Sequence, residues 1–326
     1  MHTNFCTSTL TPLLPSRYNR GVRRIFYKNL KHKSTKILDS FRIGAWIHID
    51  EATQEDLDFA VSRFSLDDNI LADALDMYEV PRIEHDEGKT YLFTRFAYGP
   101  VTEVKTAPLL IVIGSDFFLT ITPQTIASLD TLIHSREFYS TQKTRLLTQL
   151  LLTLDTDFEK YIKHISKDIH RVNAHIENIN NKSLVSFVNY EYVFNEFLLG
   201  LRPDNNSLEK LLTGKYVRLF EDDRELIQDL YLTNEQLVNM CQTNIKYLVN
   251  IRDSYSTITT NNLNKTMKFL TSITLILTIP TMVFSFYGMN VHLPLESHPL
   301  AFGFIIAGTV IFSVLLLIYF NLKDLL

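Results

Sequence analysis

The sequence predicts an α+β membrane protein, in which a charged N-terminal α/β domain leads into a long stalk helix continuous with the first of two C-terminal transmembrane helices. Three observations carry that reading. Of 32 Lys and Arg and 36 Asp and Glu, only Glu296, Lys323 and Asp324 lie beyond position 268, so a polar body precedes an apolar tail. Residues 269–287 and 299–320 are runs of 19 and 22 residues without a charge, and roughly 20 apolar residues span a hydrocarbon core. Neither Gly nor Pro occurs over 124–199 or 215–279, stretches much longer than an ordinary helix.

The elements follow in chain order. Residues 1–38 carry eight Lys or Arg and no acid. Such a leader suits a disordered extension, an organelle transit peptide or a segment lying on anionic lipid, and it lacks the apolar core of a secretory signal. Residues 39–123 read as an α/β domain. Within it, 44–49 alternate like a short strand, and 54–64 and 67–78 carry apolar residues at helical spacing (Leu57, Val61, Phe64; Ile70, Leu71, Ala74, Leu75). Residues 91–98, 109–113 and 117–122 are β-branched or aromatic runs, the last two joined by a Gly114-Ser115-Asp116 hairpin turn. Residues 124–268 read as a helical region ending in a stalk whose apolar seam is Leu226, Leu230, Leu237, Cys241, Ile245 and Leu248. A helix over 215–288 is a rod of about 110 Å.

The spans follow at 269–288 and 299–320, with an outer loop over 289–298 and a tail over 321–326. Lys265 and Lys268 flank the first span and Lys323 the second, while the joining segment has no Lys or Arg, which places both termini in the cytoplasm. Cys6 and Cys241 fit no metal-ligand spacing and argue for a reducing compartment.

Along the first span Thr271, Thr274, Thr278, Thr281 and Ser285 recur at alternating steps of three and four, and the stripe extends upstream through Thr257, Thr260, Asn264 and Met267. A helix alone in lipid gains nothing from such a stripe; a ring of helices around an aqueous axis does. The alternative is that each hydroxyl bonds the carbonyl four residues back and eases helix packing. Neutral hydroxyl and amide oxygens suit a hard cation that keeps its first-shell water, because they hold that water without trapping the ion.

Tyr287-Gly288-Met289-Asn290, at the outer end of the first span and after Pro280, resembles the signature of the CorA family of magnesium transporters in its bacterial form. Ile70-Leu71-Ala72-Asp73-Ala74-Leu75-Asp76 followed by Pro81-Arg82-Ile83-Glu84 is similar to the family's Leu-x-Asp…Pro-Lys/Arg-x-Glu element. Leu226-Ile227-Gln228-Asp229-Leu230-Tyr231 and Arg252-Asp253-Ser254-Tyr255 are similar to its stalk-helix motifs. The resemblance covers residues 40–326. It implies a funnel-shaped homopentamer in the cytoplasmic membrane around one pore, with Mg2+ as transported and regulatory ion and no organic cofactor. Asn290 then rings the outer mouth and selects hydrated ions, with Gly288 and Met289 shaping the turn. The family's pore-lining positions match Thr281, Thr278, Leu270 and Asn264, with Asp253 nearer the cytosolic entrance. Regulatory magnesium, held between subunits by one carboxylate from the α/β domain and one from the stalk, falls on Asp73 and Asp229, which spacing alone reads as two solvated surface acids.

Two departures bear on this. Thr278 stands where relatives often carry a bulky apolar residue, which moves the constriction toward Leu270. In the outer loop Glu296 is the single carboxylate that attracts ions, and His292 and His298 beside it keep a zinc-, cobalt- or nickel-transporting relative open. Other classes have less support. There is no HExxH, P-loop, GxGxxG or cysteine constellation, so no enzyme is expected, and His48 with Asp50 and Glu51 reads as a polar strand end. The expected partners are further copies and the lipid bilayer, not nucleic acid. A membrane-anchored interaction protein would leave the hydroxyl stripe without a role.

Overall fold

The computed structural model describes residues 23–32, 34–173, 181–292 and 300–323. It forms two compact units; among the described residues the first holds 23–173 and 181–248, and the second 249–292 and 300–323. The first unit is built on a seven-stranded sheet of β1 (Arg23–Tyr27), β2 (Lys36–Ile37), β3 (Trp46–Ile49), β4 (Arg82–Asp86), β5 (Lys89–Tyr98), β6 (Lys105–Ile113) and β7 (Phe118–Ile121). Their spatial order is β2-β1-β3-β7-β6-β5-β4. All neighbours are antiparallel except β3 and β7, which run parallel with Trp46 opposite Phe118.

Side chains that alternate along a strand belong to opposite faces, so this sheet has two cores. Tyr91, Phe93, Leu110, Val112 and Ile47 pack with Leu57, Ala60 and Phe64 of α1 (Gln54–Phe64) and Leu71 of α2 (Asp68–Ala72). Leu92, Phe96, Leu109, Ile111 and Trp46 pack with α3 (Leu129–Ile133) and with Leu146, Leu147, Leu150 and Leu154 of α4 (Lys143–Asn173). Local chemistry fixes the corners. Thr53 and Asp56 form a capping box at the start of α1, and the Asp67 carboxylate caps α2 by accepting from Ile70 N–H at 3.0 Å. The β6–β7 turn needs Gly114, because a Cβ there would collide with the Phe117 ring.

Four expectations require correction. The leader is not disordered through residue 38. Arg23 and Arg24 begin β1, where Arg23 pairs with Asp56 at 2.7 Å and Arg24 with Asp50 at 3.0 Å, and Phe26 and Tyr27 are buried. The basic composition masked a strand whose charges find acids; residues 1–22 lie outside the described residues. The helical pattern over 67–78 yields only α2 and a short 3-10 turn at Asp73–Leu75; Asp76 is extended, and a turn closed by Glu79 N–H donating to Asp76 O at 3.0 Å follows it. The helical region over 124–268 is also interrupted. Between α3 and α4 the backbone pairs with the end of β1 instead, Ser140 N–H donating to Lys28 O at 3.0 Å. The stalk helix starts at residue 221 rather than 215, because residues 216 and 217 are drawn onto the sheet: Thr90 Oγ1 donates to Tyr216 O at 2.5 Å and Val217 is buried.

Three long helices complete the chain. These are α5 (Asn181–Leu212), α6 (Glu221–Tyr287) and α7 (Ala301–Leu322), the last shifted slightly from the expected 299–320. α6 and α7 are long and apolar enough to cross a membrane, and their apolar windows are almost wholly uncovered in the single chain.

His48 makes a stability prediction. Its ring is fully buried and shares a 2.8 Å hydrogen bond with Thr120 Oγ1; burial first, and Arg24 second, lower its pKa to about 3. The unfolded chain binds a proton near pH 6.5 while the folded chain stays neutral, so stability is full above pH 6.5 and is lost as pH falls toward 3. Acidification from pH 7 to pH 5 is expected to cost about 2 kcal/mol through this residue. Thermal melts of native and His48→Gln chains check it: the variant should show the shallower fall over that range.

Candidate functional site

The second unit contains the end of α6 and all of α7. Each has one covered face. On α6 Ser272 is buried and Ile273, Ile276, Ile279 and Val283 are half-buried; on α7 Thr309 and Phe320 are buried and Ile305, Ser313 and Leu316 half-buried. Thr271, Thr274, Thr278, Thr281 and Ser285 are exposed. At roughly 100° per residue the centre of this hydroxyl stripe lies about 160° around α6 from the centre of its covered face. Thr274, Thr278, Thr281 and Ser285, with Leu277 and Met282, line a shallow groove. Asp253, Asn264 and Leu270 are also exposed, Asp253 and Asn264 on the same side as the stripe and Leu270 at its edge.

The hydroxyls do bond their own helix. Thr274 donates to Leu270 O at 2.8 Å, Thr278 to Thr274 O at 2.7 Å and Thr281 to Leu277 O at 2.8 Å. This geometry does not decide against a polar role. Each hydrogen is committed inward, so the lone pairs that remain on each oxygen are acceptors facing outward. Acceptors are what the water hydrogens around a hydrated cation require.

At the end of α6 the Gly288 N–H donates to Phe284 O at 3.0 Å and to Ser285 O at 3.2 Å, and Met289 N–H to Phe286 O at 3.2 Å. These bonds close the last turn and leave Gly288, Met289 and Asn290 exposed at the negative end of the helix dipole, where a cation is favoured. Gly288 is not in the left-handed region, and a Cβ there would meet only Phe284 O and Ser285 O at 3.4 and 3.5 Å. Its own chain therefore does not demand glycine. Glu296 and His298 lie outside the described residues; His292 is exposed at their margin.

Asp73 and Asp229 both belong to the first unit. Asp73 accepts from Arg82 Nη2 at 2.7 Å, and Arg82 also pairs with Glu79 and Glu84. Asp229 is exposed on α6. Among the described residues no three His, Cys, Asp or Glu side chains converge to hold a metal. Their carboxylates are the hard oxygen donors that Mg2+ prefers, but a site on them needs donors from beyond one chain.

An acid–base role for His48 finds no support, since its ring is fully buried against Thr120 and Asp50 is paired with Arg24. The residues that the sequence reading missed are two buried acids. Asp155 lies on the buried stripe of α4 between Leu151 and Phe158, and Asp204 follows Pro203 in α5. An acid at an apolar helical position was the available signal for Asp155.

These features define a membrane protein with an α/β body and a polar face on its first span. The model of the CorA-like Mg2+ transporter protein family matches residues 43–322. The cobalt/magnesium transport protein CorA of Methanocaldococcus jannaschii is 27% identical over 290 residues, covering 85% of this chain and 89% of that protein. The complete structure of the magnesium transporter CorA from that organism superposes with a TM-score of 0.82 at 21% identity, covering 93% of this chain and 98% of the other. The full-length CmaX protein has a TM-score of 0.72 at 16% identity, over 95% and 99% of the two chains. The cytoplasmic domain of ZntB from Vibrio parahaemolyticus has a TM-score of 0.60 at 9% identity, over 72% and 97%. The chain belongs to the CorA-like Mg2+ transporter family and is a divalent-cation transporter of that family.

Proposed function

We propose that this protein is a Mg2+ channel of the cytoplasmic membrane that passes the hydrated ion along the hydroxyl face of α6 and selects it at Asn290. The observation that carries the reading is the placement of five hydroxyls on the side of α6 opposite its covered face, leading to an exposed amide at the helix's C-terminal end. In lipid such a face needs polar company, and further copies around a common axis supply it; the family resemblance makes that number five. Both termini then lie in the cytoplasm. Gly288, which its own chain leaves room to enlarge, keeps space for neighbouring copies or for the ion's water shell. Asp253, Asn264, Leu270 and Thr271 continue the path inward, and Glu296 draws ions to the outer mouth. A zinc-, cobalt- or nickel-preferring transporter is the second reading, favoured by His292 beside the mouth.

Each copy would also supply Asp73 to one side and Asp229 to the other, holding regulatory Mg2+ between neighbours. Bound Mg2+ offsets carboxylate repulsion and favours the closed assembly when internal Mg2+ is high.

Reconstitution in liposomes loaded with a Mg2+-sensitive dye tests the function. The native chain is expected to give Mg2+ entry well above empty vesicles, and entry equal to empty vesicles would refute a channel. Flux of Zn2+, Co2+ and Ni2+ under the same conditions separates the two readings. Thr278→Val with Thr281→Val removes outward acceptors at nearly constant shape and is expected to lower Mg2+ flux about tenfold, equivalent to about 1.4 kcal/mol.

A further inference from the structure

Within the first unit, a small pocket among β5, α4, α5 and α6 holds five polar side chains: Thr94, Asp155, Asp204, Ser207 and Asn234. Leucines wall the rest, and there is room for about one water-sized occupant. All five residues are buried. Thr94 Oγ1 donates to Asp204 Oδ2 at 2.7 Å, which commits its hydrogen. Asp155 Oδ2 and Asn234 Oδ1 have no hydrogen-bond partner. With Asp155 ionised both are acceptors, and neither satisfies the other.

A lone buried acceptor costs about 1–3 kcal/mol, and more when it is a carboxylate. Two buried carboxylates compound the problem. The cation from the elements around the pocket that acts on Asp204 is Arg95 of β5. Its guanidinium is already committed to Glu79 O at 2.7 Å, Met77 O at 3.0 Å and Thr106 Oγ1 at 2.8 Å. Burial raises the pKa of both acids, Asp204 to about 8 and Asp155 well above the usual carboxylate range, so the pair does not carry two charges at neutral pH without a counter-ion; a divalent cation would take the place of protons there.

We propose that this pocket binds one dehydrated divalent metal cation, with Asp155, Asp204 and Asn234 as its principal ligands and the Thr94 and Ser207 oxygens as further donors. The donor set is all oxygen and carries two carboxylates, which is the chemistry of a hard divalent ion. Space for a single occupant disfavours Mg2+, which gives up its water reluctantly, and favours Ca2+ or Mn2+. The bound ion would fasten α4, α5 and α6 to β5. The site is separate from Asp73 and Asp229 and does not depend on the channel reading.

The test uses the full-length chain in detergent, carrying Asp73→Ala and Asp229→Ala so that the proposed intersubunit Mg2+ does not contribute. After incubation with Ca2+ or Mn2+ and gel filtration, metal analysis is expected to find close to one ion per chain. Adding Asp155→Asn and Asp204→Asn should lower that content at least tenfold. A chelator should lower the Tm of the parent by several degrees and leave that of the added variant unmoved. No retained Ca2+ or Mn2+ in the parent, with a Tm indifferent to chelator, would overturn the site and leave the pocket to water or a shared proton. Equal metal in parent and variant would overturn it as well. If the variant does not fold, the metal content of the parent decides alone. Flux in liposomes is a separate readout, so failure of this site and failure of the channel are distinguishable.

Discussion

Replacing Asn290 by Ala is expected to reduce Mg2+ entry into liposomes at least tenfold while leaving the assembly intact. α6 ends at Tyr287, and the turn through Gly288 and Met289 leaves Asn290 exposed beyond the last carbonyls. An amide there accepts from the water around an arriving ion and adds no charge that would hold it. Each such hydrogen bond contributes about 1 kcal/mol. In the proposed ring the loss is repeated in every copy, so a loss of tenfold, about 1.4 kcal/mol, is a lower bound. Light scattering on the purified variant verifies that the oligomer is unchanged. Native-like flux through an intact Asn290→Ala assembly would remove Asn290 from the selectivity role.

If regulatory Mg2+ is held as proposed, it protects the α/β body against trypsin, and Asp229→Ala is expected to abolish most of that protection, raising the Mg2+ needed for half protection at least tenfold. Asp73→Ala should act in the same direction but less cleanly, because it also releases Arg82 from a 2.7 Å ion pair. The reason is electrostatic. In the proposed assembly two carboxylates from neighbouring copies would repel, and a shared Mg2+ would turn that repulsion into a bridge whose loss leaves the neighbours free to separate. Limited proteolysis across a Mg2+ series reads this directly. If both variants keep the native midpoint, Asp73 and Asp229 are surface acids and regulation lies elsewhere.

Much of this architecture was legible because its signals are periodic. The helix at 54–64 is set by Leu57 and Phe64, about two turns apart on one face, and by the Thr53–Asp56 cap, and both are local in sequence. The hydroxyl stripe was legible for the same reason. What escaped was decided by contacts far apart in sequence. β1 is a run of Arg-Arg-Ile-Phe-Tyr whose charges look solvated until Asp50 and Asp56 are placed beside them. Residues 215–220 carry no helix breaker, yet pairing with Thr90 on β5 takes Tyr216 out of the stalk. The Asp155–Asp204 pocket was invisible because its two acids come from helices whose packing the sequence does not state. Gly288 could be read only as part of a signature, since nothing in its own backbone explains it.

The most direct measurement is a cysteine scan of α6. Cys241 makes this practicable, since it is fully buried and its thiol is pushed up to about 12 by burial, which renders it unreactive at neutral pH; Cys6→Ser removes the other thiol. In that background Thr274→Cys, Thr278→Cys and Thr281→Cys should react with a charged, water-borne thiol reagent and lose Mg2+ flux on modification. Ile276→Cys, Ile279→Cys and Val283→Cys, on the covered side, should not. Modification of the isoleucine and valine positions with block of flux, while the threonine positions stay unreactive, would place the ion path on the wrong face of the helix and contradict the account.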